Sequence, residues 1–295
     1  MKKKKLFLVI IALFMVTSVF TGCSEDAEKS KATDFNYDRD ITVAARDAAS
    51  GTRGAFHEIM GIIQKEGDTE IDKLVTGALE FDTTDKVVTA VEGDKYGIGY
   101  ISLGSVSSRI KAVSVDGVEP SVENVKSGEY KVSRPFILVT KGTETDLVKD
   151  FLSFVESKQG QDIAEEMNYI SKIDEPAEYT SSGKSGTIKV AGSTSVTPLM
   201  EKWQEAYFKL NPDVVFEMQS NGSSQGITAA IDGSYDVGMS SRELKDDEAS
   251  QLNRYVLAID GIAVVVNNEN PIDDLSSDVV TSIYTGEITK WPESK

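Results

Sequence analysis

The chain has one cysteine, Cys23, and one histidine, His57, among its 295 residues. A lone cysteine excludes a disulfide within the chain. One cysteine with one histidine excludes the Cys/His spacing of a structural zinc site, so neither a metal nor a cofactor is expected. Long apolar runs are also lacking. The longest, Leu6 to Phe20, has 15 residues, short of the roughly 20 that a membrane-spanning helix needs. Positive charge is in deficit: 31 Lys and Arg stand against 48 Asp and Glu, a formal net charge of −17. Such an acidic surface argues against nucleic acid as a partner. It does not exclude a small anionic ligand, because local donors govern a buried anion site and salt screens distant surface charge. No pair of carboxylates is spaced as a catalytic dyad and no activated nucleophile is evident, so the sequence does not read as an enzyme.

What is present begins at the N-terminus. Lys2 to Lys5 form a basic cluster, the apolar run follows, and Thr21-Gly22 precedes Cys23. A basic segment followed by a short apolar one reads as a secretory signal peptide over 1–22. Val19-Phe20-Thr21-Gly22-Cys23-Ser24 resembles a bacterial lipobox, with Phe20 a departure from the usual smaller residue. The resemblance implies that Cys23 is lipidated and anchors the mature chain to the outer face of the cell membrane. Loss of the signal peptide, with its four lysines, would take the formal charge from −17 to −21. Residues 23–35 are polar and aperiodic and are expected to be a flexible tether.

Beyond the tether, three segments repeat one pattern. Ile41 to Ala45, Ile188 to Ala191 and Val214 to Met218 read as strands. Each leads into a Gly/Ser/Thr turn and then a helix-like stretch. The turns are Arg46 to Arg53, Gly192 to Ser195, and Ser220 to Gly226. Strand, tight turn and helix in succession predict an α/β fold. Thr83 to Val91 and Thr145 to Lys158 have helical spacing, while Tyr96 to Ile101, Phe136 to Val139 and Ile262 to Val266 read as further strands. Residues 174–186, rich in Ser, Gly and charge, read as a linker between segments 36–173 and 187–295. Gly183-Lys184-Ser185 is not a P-loop, since Glu178 stands where the motif needs glycine.

A helix N-terminus presents N–H groups without intrahelical partners and about half a positive charge. Glycine lets the backbone approach a ligand, and Ser and Thr add hydroxyl donors. Capping alone explains one such turn. Three of them, one carrying arginine, point to an oxyanion site.

The motifs carry a more specific resemblance. Arg46-Asp47-Ala48-Ala49-Ser50-Gly51-Thr52 is similar to the R-x-x-x-S-G-T motif of bacterial phosphate-binding proteins of ABC importers. Ala191 to Leu199, Gly222 to Gly226, Tyr235 to Arg242 and Tyr284 to Trp291 resemble further signatures of that family. The resemblance implies a two-lobed periplasmic-binding-protein-like (type II) α/β fold with the ligand cleft between lobes. One lobe would combine 187–255 with 137–173 and the other 36–135 with 257–291, with crossovers near Arg134 to Phe136 and Val256 to Gly261. It implies capture of inorganic phosphate for delivery to ABC permease subunits, without chemistry. By position it implies phosphate binding by Arg46, Ser50, Gly51, Thr52, Thr194, Ser195, Ser223 and Ser241. Ser241 departs from the acidic residue that some members use to accept the phosphate proton. In the usual family order the segment resembling 187–295 comes first, so the halves here are circularly permuted. A folded monomer with one site is expected, ahead of a swapped dimer or an inactive relic. The alternatives are a binding protein for another oxyanion, a phosphate-sensing lipoprotein without transport, and a phosphoryl-transfer enzyme. Arg53 is expected to pair with a carboxylate, His57 to be a satisfied or solvent-facing helix residue, and Trp203 and Trp291 to pack.

Overall fold

The structure, a computed structural model, describes residues 35–66 and 69–293. The expected signal peptide, the lipidated Cys23 and the tether up to residue 34 lie outside the described residues.

The chain first builds most of one lobe. Strand β1 (Thr42–Arg46) runs into helix α1 (Gly51–Ile59). A hairpin of β2 (Ile63–Glu66) and β3 (Thr69–Asp72) follows, then β4 (Leu79–Phe81), helix α2 (Thr84–Gly93) and β5 (Gly97–Ser102). Strand β1 lies between β4 and β5, parallel to both. Val87, Val88 and Val91 recur at helical spacing and pack α2 onto Ile101 and Val265. The lobe continues with β6 (Lys111–Val115) and α3 (Val122–Ser127).

The chain then crosses over. Strand β7 (Ser133–Thr140) leaves this lobe and enters the second. There the chain forms α4 (Asp146–Glu156), α5 (Lys158–Glu166) and the short β8 (Ile170–Ser171). Thr145 caps α4 by accepting from the Val148 N–H. Ser157 ends α4 and caps α5 by accepting from Gly160. The second lobe continues with β9 (Gly186–Gly192), α6 (Thr197–Leu210), β10 (Val214–Ser220), α7 (Ser223–Asp232), β11 (Val237–Ser240) and α8 (Asp246–Ala249). Strand β9 lies between β10 and β11, parallel to both. Its core holds Trp203, Tyr207, Phe151 and Phe154, all fully buried. The Trp203 indole N–H donates to the Gly160 carbonyl at 2.8 Å, so the ring packs without orphaning its polar atom.

Strand β12 (Asn253–Val266) returns to the first lobe, which β13 (Asp274–Leu275) and α9 (Ser277–Thr285) complete. It pairs antiparallel with β7 over Asn253 to Gly261 and with β5 over Ile262 to Val266. One sheet therefore runs β10-β9-β11-β7-β12-β5-β1-β4 through both lobes. The described chain crosses between the lobes along β7 and β12, and the pairing of these strands shifts register between Val256 and Ala258.

The linker expected over 174–186 has no helix or strand before Gly186, yet it is docked. The Tyr179 hydroxyl donates to Asp150 at 2.7 Å, and its backbone exchanges hydrogen bonds with the Gln159 amide. Its ring packs edge-on against Phe154 at 5.3 Å. Ser181 donates to the Leu210 carbonyl, which fixes the approach to β9.

Candidate functional site

In an α/β sheet, side chains for a ligand collect at the carboxyl ends of parallel strands, where neighbouring connections diverge. Each lobe has one such point. In the first it is the end of β1, where Arg46 leads into the loop to α1. In the second it is the end of β9, where Gly192 leads through Ser193, Thr194 and Ser195 to α6. Gly192 is required there: its φ is +137°, and a Cβ would meet the Met239 backbone N at 2.8 Å. The ends of β10 and β11 add Ser223 and Ser241.

The structure brings these residues together across the two lobes. Arg46 Nη2 donates to the Thr194 hydroxyl at 2.8 Å. The Thr52 and Ser195 hydroxyls lie 2.9 Å apart. Ser193 donates to Ser241 Oγ at 2.8 Å, and Ser223 Oγ lies 3.3 Å from the same atom. The Ser241 N–H donates to Ser223 Oγ at 3.0 Å. The Ser224 N–H donates to the Ala49 carbonyl at 3.2 Å, so the loop before α1 touches the start of α7. Ser50 accepts from the Arg53 N–H at 3.4 Å and so caps α1. The first turns of α1, α6 and α7 thus converge on one ring of hydroxyls.

Arg46 is the cation of this ring. It is 1% exposed. Its Nε donates to the Phe81 carbonyl at 3.0 Å, Nη2 to the Asp82 carbonyl at 2.8 Å, and Nη1 to the Thr84 hydroxyl at 3.3 Å. None of these acceptors is a carboxylate. Burial lowers its pKa to about 10, which leaves it charged at neutral pH.

Two residues of the ring were not anticipated. Thr84 opens α2 and touches both Arg46 and Ser195, the latter at 3.5 Å. It lacks the glycine that marks the other turns, so only the Thr83-Thr84 pair before an apolar helical stretch signals it. Ser193 was read as part of a turn, yet its hydroxyl also accepts from the Ser195 N–H at 3.2 Å.

Behind Arg46 stands a second group of polar side chains. Tyr100 accepts the Arg46 N–H at 3.1 Å, and His57 Nε2 lies 3.2 Å from the Tyr100 hydroxyl. His57 Nδ1 lies 3.0 Å from both oxygens of Asp72. Because the Tyr100 oxygen already accepts, its proton goes to Nε2, and Nδ1–H donates to Asp72. This assigns a neutral tautomer. His57 is therefore a satisfied, fully buried helix residue, not a solvent-facing one. Arg53 pairs with Asp72 at 2.9 Å and with Glu80, and donates to the Arg46 carbonyl at 3.0 Å. Trp291 packs at 3% exposure and donates to the Tyr96 carbonyl.

Burial lowers the His57 pKa to about 4 from its ordinary 6.5, outweighing the attraction of Asp72. The folded state then refuses a proton that the unfolded chain takes up below 6.5. Stability from this residue is complete above that value and is lost as pH falls toward 4. Lowering the pH from about 7 to about 5 should cost about 2 kcal/mol through His57. Urea unfolding of the protein and of His57→Gln at both pH values checks this. The glutamine variant should show a smaller loss, and an equal loss in both proteins would refute the assignment.

The described residues contain no group of three His, Cys, Asp or Glu side chains placed to hold a metal. No helix among them is long and apolar enough to cross a membrane.

Comparison with known proteins places the chain in a family. Residues 24–159 and 177–295 match the model of the PBP superfamily domain. The chain is 43% identical over 293 residues to a phosphate-binding protein PstS 2 of Streptococcus pneumoniae, covering 99% of each chain. It is 43% identical to a PstS 2 of Streptococcus agalactiae, covering 99% of this chain and 98% of that one. A solved phosphate-binding protein of a phosphate ABC transporter from Streptococcus pneumoniae superposes with a TM-score of 0.71 at 45% identity, over 86% of this chain and 98% of that chain. With Staphylococcus saprophyticus PstS the match is 33% over 121 residues, 38% of each chain. The chain therefore belongs to the PBP superfamily and, within it, to the family of the phosphate-binding proteins.

Proposed function

We propose that this protein captures inorganic phosphate outside the cytoplasm and delivers it to the permease of an ABC importer. The observation that carries this reading is Arg46: a buried cation without a carboxylate partner, ringed by hydroxyls and helix N-termini from both lobes. A buried charge is costly unless paired, and a bound oxyanion supplies the pair. Arg46, Ser50, Gly51, Thr52, Thr194, Ser195, Ser223 and Ser241 are assigned to the anion, and Thr84 joins them. Touching both lobes, the anion favours the closed form. No bond is made or broken. No carboxylate stands in the ring, so the phosphate proton meets serine hydroxyls, which both donate and accept. Calorimetric titration with phosphate and with sulfate tests the reading. One phosphate per chain with much weaker sulfate binding is expected, and equal or absent binding of both would overturn it.

The order of the halves is assigned as a natural circular permutation. Its support is the contrast between a match along the whole of the PstS 2 chains and one along 38% of Staphylococcus saprophyticus PstS. A swapped order leaves only one half collinear. Because residues of 36–173 and 187–295 meet within one chain, one site per monomer is assigned. Light scattering checks it, a stable dimer being the contrary result. Cys23 is assigned as the lipidated anchor. Cys23→Ser should release soluble protein and lose fatty-acid label in cells, whereas label retained in the variant would exclude this cysteine.

A further inference from the structure

The two crossover strands carry a buried ion pair. Arg134 on β7 and Asp260 on β12 are direct partners in the strand register. They are 2% and 1% exposed. Arg134 Nη2 and Nε donate to one oxygen of Asp260 at 3.0 and 3.2 Å. The other Asp260 oxygen accepts from Ser102 of the first lobe at 2.9 Å. Arg134 Nη1 donates to the carbonyl of Ser241, in the second lobe, at 3.3 Å. The pair thus touches the anion ring at Ser241, whose N–H is held by Ser223 and whose hydroxyl is held by Ser193. Burial pushes both groups toward their neutral forms, and their mutual attraction opposes it.

The balance of buried charge is uneven. Among the described residues, the buried charged side chains are Arg46, Arg134 and Asp260, with His57 neutral. Two cations face one carboxylate. The charge of Arg134 also helps lower the pKa of Arg46. In a water-poor interior such charges act over longer distances than at the surface. A buried ion pair is weak evidence of stability, because apolar side chains of similar volume often serve as well.

We propose that Arg134 is a second cation of the oxyanion site, acting through the Ser241 peptide, and that Asp260 sets how much of its charge the anion feels. Arg134 positions the Ser241 loop from behind. Asp260 orients Arg134 and partly cancels it. This rests on reading the ring as an oxyanion site. It predicts opposite effects for the two partners. D260N keeps the shape but removes the cancelling charge; its amide oxygen can accept from Arg134 while its N–H donates to the Ser102 hydroxyl, which turns to accept. It should bind inorganic phosphate about tenfold more tightly while the ligand-free protein melts at a lower temperature. A merely structural pair gives the reverse, weaker binding with weaker folding. The double variant Arg134→Met/Asp260→Leu replaces the pair by apolar groups and keeps the interior neutral. It should fold with nearly the parental melting temperature and bind phosphate about tenfold more weakly.

The experiment is calorimetric titration of the parent, D260N and the double variant with inorganic phosphate at one pH and ionic strength, with thermal unfolding alongside. Tighter binding in D260N and weaker binding in the double variant support the proposal. Unchanged or weaker binding in D260N overturns it, as does unchanged binding in a folded double variant. If D260N does not fold without ligand, its recovery of cooperative unfolding with phosphate decides: recovery supports the proposal, and none overturns it. Failure of the parent itself to titrate defeats the oxyanion reading instead.

Discussion

Arg46→Ala is expected to abolish measurable phosphate binding while leaving the fold intact. The guanidinium is held by the Phe81 and Asp82 carbonyls and the Thr84 and Thr194 hydroxyls, and each is a neutral acceptor. A phosphate dianion brought there loses its water, and without Arg46 no full positive charge compensates it in the ring. Truncating one member of a buried, hydrogen-bonded charge pair costs about 2–5 kcal/mol, or roughly 30- to 4,000-fold in affinity. Thermal unfolding gives a second measure. Phosphate at about a hundredfold excess over Kd should stabilise the parent by about 2.7 kcal/mol, raising the midpoint by roughly 5–10 °C in a chain of this size. In Arg46→Ala that rise should vanish. The ligand-free midpoint should fall little, because the variant no longer buries a cation that lacks a carboxylate. A normal titration in Arg46→Ala would remove this residue from the site.

Gly51→Ala is expected to weaken phosphate binding by up to about 10²-fold without unfolding the protein. Gly51 begins α1 and faces the second lobe. A Cβ there would lie 2.8 Å from Ser241 Oγ, 2.9 Å from Ser223 Cβ, and closer still to Ser223 Oγ. Those neighbours are short and buried, so they cannot swing away, and the added methyl holds the lobes apart. Overpacking of this kind costs about 1–3 kcal/mol. Gly54→Ala, one turn on, is the control. Its Cβ would meet only the Arg242 side chain, at 3.2 Å from Cδ. Replacing a helical glycine there should stabilise the protein by roughly 0.5–1 kcal/mol and leave affinity nearly unchanged. Calorimetry on both variants checks the pair, and equal affinities would show that the lobes do not close over Gly51.

Local chemistry made part of this structure legible in advance. The turns after β1, β9 and β10 announced themselves because glycine and hydroxyl residues follow β-branched runs and precede helical spacing. Helix α4 was readable from Val148, Phe151, Leu152 and Val155, all buried. What escaped depends on contacts distant in sequence. The hairpin of β2 and β3 is short and polar, and nothing local shows that its Asp72 ends beside His57. Ile262 to Val266 read as a strand, but β12 begins nine residues earlier, at Asn253. Its first residues are polar and partly exposed, so periodicity does not reveal them. Arg134 and Asp260 lie 126 residues apart, and only the pairing of β7 with β12 brings them together. Composition marked 174–186 as a linker but gave no sign of what it packs against. One aromatic residue, Tyr179, holds that segment to Phe154, Asp150 and Gln159.

The route of β7 and β12 also sets an order of assembly. The second lobe is entered once and left once, so residues 137–256 build it as an unbroken stretch. The first lobe needs both ends of the described chain. The Ile41 N–H donates to the Thr289 carbonyl at 2.8 Å, the Val75 N–H donates to Tyr284, and Asp40 bridges to Lys290. A chain emerging N-terminus first therefore holds β1 and α1 ready but unfinished while the second lobe gathers its core. Only when α9 arrives can the first lobe close. During synthesis or export the binding ring is thus the last part to become whole, and a chain stopped before Ser277 would carry a formed second lobe and no working site.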